Sequence, residues 1–173
     1  MKSKINLWQF FGFAVVSLSG TLLHFLYDLT NESVFAAPFS GVNESTWEHM
    51  KLLYWPLLLY TLIQKPFFRD QRSFMCIKLL GALTGLASIP VFFYTINGAF
   101  GKTPDWLNIT IFFVSCAVAF FLEAVLLKKD IPYRSSRLCT PIYALIGILF
   151  VIFTFLTPAL PLFKDPLTGT YGI

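Results

Sequence analysis

Residues 43–51, Asn43-Glu44-Ser45-Thr46-Trp47-Glu48-His49-Met50-Lys51, place two carboxylates, a histidine and a lysine directly before the apolar run of residues 52–63. An apolar run of this kind is typical of the body of a membrane helix. Ionisable groups beside a membrane span are costly, so they usually face a partner, a cavity or water. We therefore interpret residues 43–51 as the start of a span and as a candidate functional element.

The composition predicts a membrane protein. Of the 173 residues, 56% are hydrophobic and 13% are charged, which is too apolar for an ordinary soluble domain. Each span uses about 20 residues. We expect an all-α, polytopic bundle of about five transmembrane helices, with residues 1–173 forming a single integral membrane domain in the lipid bilayer. The predicted spans are residues 7–29, 45–64, 74–97, 106–127 and 138–160.

The basic residues predict the orientation of the bundle. They lie at the N-terminus and in the second and fourth loops, as Lys2, Lys4, Lys65, Arg69, Arg72, Lys128, Lys129, Arg134 and Arg137. The first loop has no Lys or Arg, the third has only Lys102 and the tail only Lys164. This alternation favours a cytoplasmic N-terminus and an external C-terminus in the cell membrane. The net charge of +4 is therefore a topology determinant and does not predict nucleic-acid binding.

The three cysteines are far apart and match no metal-finger or redox spacing. The predicted topology puts Cys76 and Cys139 near the cytoplasmic side and Cys116 inside the bilayer. No disulfide is expected.

Two further ionisable groups fall inside predicted spans. Lys78 lies one turn inside a basic end and is expected to extend its amine to the interface. Glu123 is expected to pair loosely with the Lys128–Lys129 cluster. Gly81 and Gly85 have the spacing at which two membrane helices approach closely.

The end of the first span is polar on one face. His24 and Asp28 are four residues apart, and Gly20 is four before His24, so the three share a helix face. A lone histidine in a span is most simply a neutral side chain bonded to a neighbouring helix. The spacing to Asp28 is equally compatible with a functional role.

The start of the second span resembles a capping box, in which Ser45 caps the helix and Glu48 reaches back to it. This gives Glu48 a structural explanation beside the functional one. Glu48 and Lys51 are three apart and can pair, whereas His49 points to the adjacent face.

Together these groups predict one polar centre on the extracytoplasmic side. A short loop joins spans one and two, which predicts that they are adjacent and antiparallel. His24, Asp28 and His49 are then candidate ligands for zinc or another divalent metal. Glu44, Glu48 and Lys51 are candidate catalytic groups. A proton-relay or ion-pair network explains the same residues.

Three segments carry a resemblance to a known family: residues 43–51, residues 23–28 with Leu23-His24-Phe25 and Tyr27-Asp28, and the tail with Asp165-Pro166, Thr168-Gly169 and Tyr171-Gly172. They are similar to a family of small prokaryotic multi-pass membrane proteins of unknown function, and the similarity covers nearly the whole chain. The resemblance implies a membrane location and a prokaryotic source. It implies no catalytic roles.

Three functions remain open. The first is a membrane-embedded enzyme, metal-dependent, that acts on a lipid or lipid-linked substrate with Glu44 or Glu48 as general base. The second is a small ion- or proton-coupled transporter or channel subunit, for which no internal repeat is visible. The third is a structural membrane partner whose polar cluster only fixes packing.

Overall fold

Long helices account for most of the chain in a computed structural model that describes residues 2–101, 104–129 and 136–173. Within these residues there are six α-helices and no named strand. They are α1 (Lys2–His24), α2 (Leu26–Leu29), α3 (Thr46–Gln64), α4 (Phe74–Phe100), α5 (Asp105–Lys129) and α6 (Ser136–Phe155), with short 3₁₀ helices at Lys65–Phe68 and Pro161–Phe163. The predicted all-α class is confirmed. The predicted loop residues Lys102 and Arg134 lie outside the described residues.

Four of the helices are long and apolar enough to cross a membrane: Ser3–His24, Phe74–Phe100, Trp106–Lys129 and Arg137–Phe155. The remaining long helix, α3, carries Glu48, His49 and Lys51 in its first two turns. It packs against α1, α4, α5 and α6. Most of its side chains are therefore buried, and Leu59 and Ile63 are among the few exposed ones. A helix enclosed by other helices needs no continuous apolar surface toward lipid.

Hydrogen bonds fix the relative directions of the helices. Near the end of α3, the Tyr60 hydroxyl donates to the carbonyl of Trp8 in α1 (2.6 Å). At the start of α3, Thr46 Oγ1 lies 3.3 Å from Tyr94 Oη near the end of α4. Helix α3 is therefore antiparallel to both neighbours, which confirms the prediction that the helices around His24 and His49 are adjacent and antiparallel. We call the end of the bundle that contains Thr46 the polar end, and the opposite end, with Tyr60, the basic end.

The first span ends earlier than predicted. Helix α1 stops at His24, and the separate turn α2 follows after Phe25. The Ser40 hydroxyl explains the break, because it donates to the carbonyl of Leu23 (2.5 Å) and accepts from the amide of Tyr27 (2.9 Å). A loop side chain thus satisfies backbone groups that a continuous helix would pair internally.

Small residues bring α4 and α5 together, as predicted. A Cβ atom on Gly85 would lie 2.9 Å from Cβ of Ala119, so only glycine allows this approach. A Cβ atom on Gly81 would lie 2.6 Å from Glu123 Oε1. Gly81 therefore makes room between the helices for a buried carboxylate.

The predictions for Lys78 and Glu123 are wrong. Both side chains are fully buried, and Lys78 Nζ lies 2.5 Å from Glu123 Oε2. The same amine donates to Gln64 Oε1 (2.9 Å). In an apolar interior a charged group is stabilised by a nearby opposite charge. Lys78 therefore turns inward to an acid on another helix, which helical spacing within one span does not reveal.

The expectation of no disulfide is also wrong. Cys76 and Cys139 form one between the first turns of α4 and α6, at the basic end. Their separation of 63 residues in sequence made the pairing invisible to spacing rules. Cys116 is a buried free thiol in α5.

Candidate functional site

The two histidines of the chain meet at a single carboxylate at the polar end. His24 Nε2 lies 3.4 Å from Glu44 Oε1, and His49 Nε2 lies 3.6 Å from Glu44 Oε2. The two imidazole rings are 5.7 Å apart between centroids. We call these three residues the His–Glu–His cluster. The predicted approach of spans one and two thus brings together both histidines.

The start of α3 positions His49. Ser45 caps the helix by accepting a hydrogen bond from the amide of Glu48 (3.4 Å), which confirms the predicted cap. The amide of Ser45 donates to Asn43 Oδ1 (2.9 Å), so Asn43 takes the part that a capping box gives to Glu48. These two hydrogen bonds fix the backbone at the start of α3 and thereby the position of His49.

One nitrogen of His49 is assigned by its partner. Nδ1 lies 2.9 Å from the carbonyl oxygen of Ser45. A carbonyl only accepts, so Nδ1 carries a proton. Nε2 is then the nitrogen that gains or loses a proton, and it faces Glu44. A backbone carbonyl that fixes the tautomer in this way leaves the other nitrogen free for acid–base chemistry.

Glu44 is held as a carboxylate. Its contact with His24 lowers the pKa of the carboxyl below its ordinary value, and the charge of His49 acts in the same direction against partial burial. The side chain is 40% exposed. The contacts to both imidazoles are longer than a typical hydrogen bond, so Glu44 has room to bond a third group.

A cavity of about 300 Å³ opens beside the cluster, between α1 and α5. His24, Glu44 and His49 form its polar end, and apolar side chains such as Leu52, Phe112 and Phe113 form its walls. Phe25, Ile109 and Leu167, which also line it, are more than half exposed. The cavity therefore has one polar end and an apolar mouth on the side of the bundle.

Gly20 shapes this cavity. A Cβ atom there would lie 2.6 Å from the carbonyl oxygen of Leu52 and 2.5 Å from the ring of Phe112. Any larger residue would force α1 away from α3 and α5. Gly20 and His24, which were predicted to share a helix face, therefore both line the cavity.

Glu48 and Lys51, two of the predicted catalytic residues, form a buried ion pair at 2.6 Å. Lys51 Nζ also donates to the carbonyl of Ala37 (2.8 Å) and to Thr154 Oγ1 (3.0 Å). All three donors of the amine are used. Glu48 Oε2 accepts from the amide of Val42 (2.9 Å). This geometry ties the loop before α3 to α3 and α6, and gives both residues a structural role away from the cavity.

Asp28 is separated from the histidines that it was predicted to join. It lies in α2, after the break in the helix, and its side chain is exposed. Among the described residues, no group of three or more His, Cys, Asp or Glu side chains is arranged to hold a metal ion. The ligand set of His24, Asp28 and His49 is therefore not assembled, because the shared helix face does not extend past His24.

Several residues that line the cavity were not indicated by the sequence, and Asn108 and Leu167 are two of them. Asn108 of α5 lines the cavity, and its Oδ1 is buried with no hydrogen-bond partner among the residues that the structure describes. Leu167 of the tail lines it as well. The tail is held at the polar end because Asn43 Nδ2 donates to the carbonyl of Gly172 (3.1 Å) and Thr46 to that of Leu162 (3.0 Å). No sequence pattern brings α5 or the tail to this place.

A family model, described as a family of unknown function (DUF6512), matches residues 1–173, which is the whole chain. The chain belongs to this family. The predicted membership of a family without assigned activity is confirmed, and the prokaryotic source stays a prediction. No curated protein matches the chain. No solved structure matches it either.

Proposed function

We propose that this protein is a membrane-embedded enzyme that binds a lipid or lipid-linked substrate in the cavity between α1 and α5 and acts on its polar head. The observation that carries the proposal is the cavity itself, whose apolar walls end at the His–Glu–His cluster. An amphiphile needs this combination, because its chain must stay in an apolar medium while its head is hydrogen-bonded.

The chemistry follows from the cluster. His49 has a fixed tautomer and an exchangeable nitrogen, and Glu44 is a carboxylate that contacts both imidazoles. Histidine exchanges protons near neutral pH, and a carboxylate partner stabilises the imidazolium that forms. We assign His49 as general base, Glu44 as its stabilising partner and His24 as the group that orients Glu44. Zinc or another divalent metal has no part in this proposal.

The proposed topology has five spans, a cytoplasmic N-terminus and an external C-terminus. Helix α3 has 19 residues, or about 28 Å, which is close to the thickness of the hydrocarbon core. In this topology α3 is the fifth span in addition to the four apolar helices, and it packs against all four of them. The basic loops favour the cytoplasm for the basic end, which would make the Cys76–Cys139 disulfide at that end one of the uncommon cytoplasmic ones. The His–Glu–His cluster would then lie near the outer leaflet of the cell membrane, where the substrate enters sideways.

Photolabelling tests the binding part. The protein is reconstituted in phosphatidylcholine liposomes that contain a diazirine-labelled lipid, and labelled peptides are mapped by mass spectrometry. Labels are expected in α1 near Thr21 and in α5 near Ile109. Thr21→Trp, which fills the mouth, should reduce labelling of α5. Leu22→Trp is the matched control, since Leu22 is 72% exposed and does not line the cavity. Equal labelling in both variants would contradict the proposal.

Comparison of lipids tests the catalytic part. Liposomes made from the polar lipids of the source membrane are incubated with wild type, His49→Ala or Glu44→Gln, and all lipids are compared by mass spectrometry. A product that depends on wild type and is absent from both variants is expected. If no lipid is converted, the protein is not an enzyme that acts on these lipids. Photolabelling of the cavity without any lipid conversion would indicate a lipid-binding protein instead.

A transporter is the second candidate, and the Lys78–Glu123 pair is the observation that favours it. A fully buried ion pair among membrane helices is a recurrent feature of ion and proton pathways. Proton flux into liposomes, measured with a pH-sensitive dye in wild type and in Glu123→Gln, separates this candidate from the enzyme. Flux that is lost in Glu123→Gln and kept in His49→Ala would favour the transporter.

A further inference from the structure

The polar end of the cavity between α1 and α5 presents mainly hydrogen-bond acceptors. Nδ1 of His49 donates to the carbonyl of Ser45, so Nε2 is an acceptor whenever the ring is neutral. This nitrogen lies 3.6 Å from Glu44 Oε2, and a carboxylate oxygen also only accepts. Two acceptors thus face each other beside the cavity, and no described residue donates a hydrogen bond to either atom.

Two more acceptors lie along the cavity, one helical turn from the two histidines. Pro56 has no N–H, so the carbonyl of Leu52 lacks the amide that a helix places four residues later. The Leu52 oxygen faces Gly20, where a Cβ atom would lie 2.6 Å away, and both residues line the cavity. On α1, the Thr21 hydroxyl donates to the carbonyl of Ser17 (2.9 Å), so its oxygen can still accept.

Donors are few on the same lining. Among the described residues that line the cavity, the hydroxyl of Thr21 and Nδ1 of His49 are already bonded to backbone carbonyls. His24 Nε2 faces Glu44 Oε1 at 3.4 Å. The amide of Asn108 adds a donor, but its Oδ1 is one more acceptor with no partner in the described part of the chain. A molecule that satisfies this lining must therefore bring its own donors.

The charge at the polar end favours a cation. The lowered pKa of Glu44 keeps this residue a carboxylate. Outside the Glu48–Lys51 pair, the side chains that the structure describes at this end include one amine, Lys164, and four carboxylates: Asp28, Glu32, Glu44 and Asp165. Opposite charges attract more strongly near an apolar medium than in water, and hydrogen bonds to a charged group are about twice as strong as neutral ones. A primary ammonium combines a compact positive charge with three N–H donors.

We infer that the cavity binds an amphiphile whose head is a primary ammonium, with the head at Glu44 and His49 and the hydrocarbon chain along Phe112 and Phe113. This inference rests on the lipid-binding part of the proposed function, and it adds the chemical class of the head. An alcohol brings one donor and no charge, whereas a quaternary ammonium brings charge and no N–H. Neither satisfies a carboxylate and neutral acceptors together. Phosphatidylethanolamine and long-chain amines without phosphate both carry the ammonium.

Competition against the photolabel tests the head group. The full-length protein is reconstituted in phosphatidylcholine liposomes that contain the diazirine-labelled lipid, and octadecylamine, octadecanol or octadecyltrimethylammonium is added over a range of mole fractions. Octadecylamine should halve the labelling of α5 at a mole fraction about tenfold or more below those of the other two. The trimethyl compound has the same chain and charge, so it controls for the effect of charge on the bilayer.

Phosphatidylethanolamine is the fourth competitor and identifies the source of the ammonium. Competition as strong as that of octadecylamine would support the inference with a phospholipid as the ligand. Competition as weak as that of octadecanol, beside strong competition by octadecylamine, would support it with an amine that has no phosphate.

A pair of matched variants tests the position of the head. Glu44→Gln should bring octadecylamine to within about twofold of octadecanol, because the charged acceptor is gone, and labelling without a competitor should persist. Glu32→Gln is the control, since Glu32 is an exposed carboxylate of the same loop that does not line the cavity. It should keep the full preference for octadecylamine.

Two results would overturn the inference. One is equal competition by octadecylamine and octadecyltrimethylammonium in wild type, which would mean that N–H donors are not recognised. The other is a preference for octadecylamine that survives in Glu44→Gln, which would place the ammonium elsewhere. Absence of α1 and α5 labelling without any competitor would instead contradict the lipid-binding cavity and with it the proposed function. Normal labelling without a head-group preference would contradict this inference alone.

Discussion

Lys78 and Glu123 are expected to stabilise the bundle only as a pair. Both are fully buried, and each leaves an uncompensated charge when the other is removed. Loss of one partner of a buried ion pair costs about 3–5 kcal/mol. We expect this loss for Lys78→Met and for Glu123→Leu. In the double variant no charge remains, and its free energy of unfolding should lie within about 1–2 kcal/mol of wild type.

The coupling energy is the quantity to measure. If each single variant loses about 3 kcal/mol and the double variant about 1, the two changes are non-additive by about 5 kcal/mol, above the range that neighbouring residues usually show. Unfolding in lipid bicelles by steric trapping provides the free energies, and thermal unfolding in detergent provides an independent ranking. Lys129→Met is the control, since Lys129 is exposed at the end of α5 and should change stability by less than about 0.5 kcal/mol.

Additive losses would refute this reasoning, because they would mean that Lys78 and Glu123 do not compensate each other. The double variant also separates two functions. If the pair only holds α4 and α5 together, the folded double variant keeps all activity. If it is a transport site, the double variant stays folded and loses proton flux.

Four further predictions concern the polar end, the topology and the disulfide. Ser45→Ala should lower the free energy of unfolding by about 1 kcal/mol, the usual cost of a lost cap, and leave lipid labelling unchanged; unchanged stability would contradict the capping role. The pKa of Glu44 is lowered in the folded protein, so its contribution is present above the ordinary carboxyl value of 4.5 and is lost as pH falls further. Glu44→Gln should therefore lower the free energy of unfolding at pH 7, by less than about 1 kcal/mol for this half-exposed group, and the difference from wild type should shrink as the pH falls below 4.5. Single cysteines at Arg69 and Lys128, in a chain with Cys76, Cys116 and Cys139 replaced by serine, should resist an impermeant maleimide in intact cells, whereas Tyr171→Cys should react; the reverse pattern would invert the topology. In the native chain, alkylation under denaturing conditions should reach one thiol before reduction and three after it, and three before reduction would contradict the Cys76–Cys139 disulfide.

Sequence patterns predicted the features that depend on neighbouring residues. The all-α class, the cap by Ser45 and the ion pair between Glu48 and Lys51 follow from local spacing, and the structure contains all three. The pairing of spans one and two follows from a short connection, and it brings His24 to His49. These features need no knowledge of which distant helices touch.

Features that depend on distant helices were missed or misassigned. Glu123 pairs with Lys78, 45 residues away, and Cys76 pairs with Cys139. Asn108 reaches the site from α5, and in the sequence it is only one more polar residue near a loop. The prediction that His24 and Asp28 share a helix face was wrong for a similar reason. The hydroxyl of Ser40, a loop residue, bonds the backbone of Leu23 and Tyr27 and interrupts the helix between the two residues. Helical periodicity holds only as long as no distant side chain competes for the backbone.

The same contrast indicates where chemistry is possible in this bundle. The three N–H donors of Lys51 are all used in contacts with Glu48, Ala37 and Thr154 inside the protein, so none remains to bind a substrate. Glu44 is half-exposed, its two imidazole contacts exceed 3.3 Å, and it borders a cavity. A polar group that is fully bonded holds helices together, whereas one that is loosely bonded beside a cavity can bond a ligand. By this criterion the ionisable residues at the start of α3 divide into a structural pair, Glu48 and Lys51, and a loosely bonded group beside the cavity, Glu44 and His49, although all four are close in sequence.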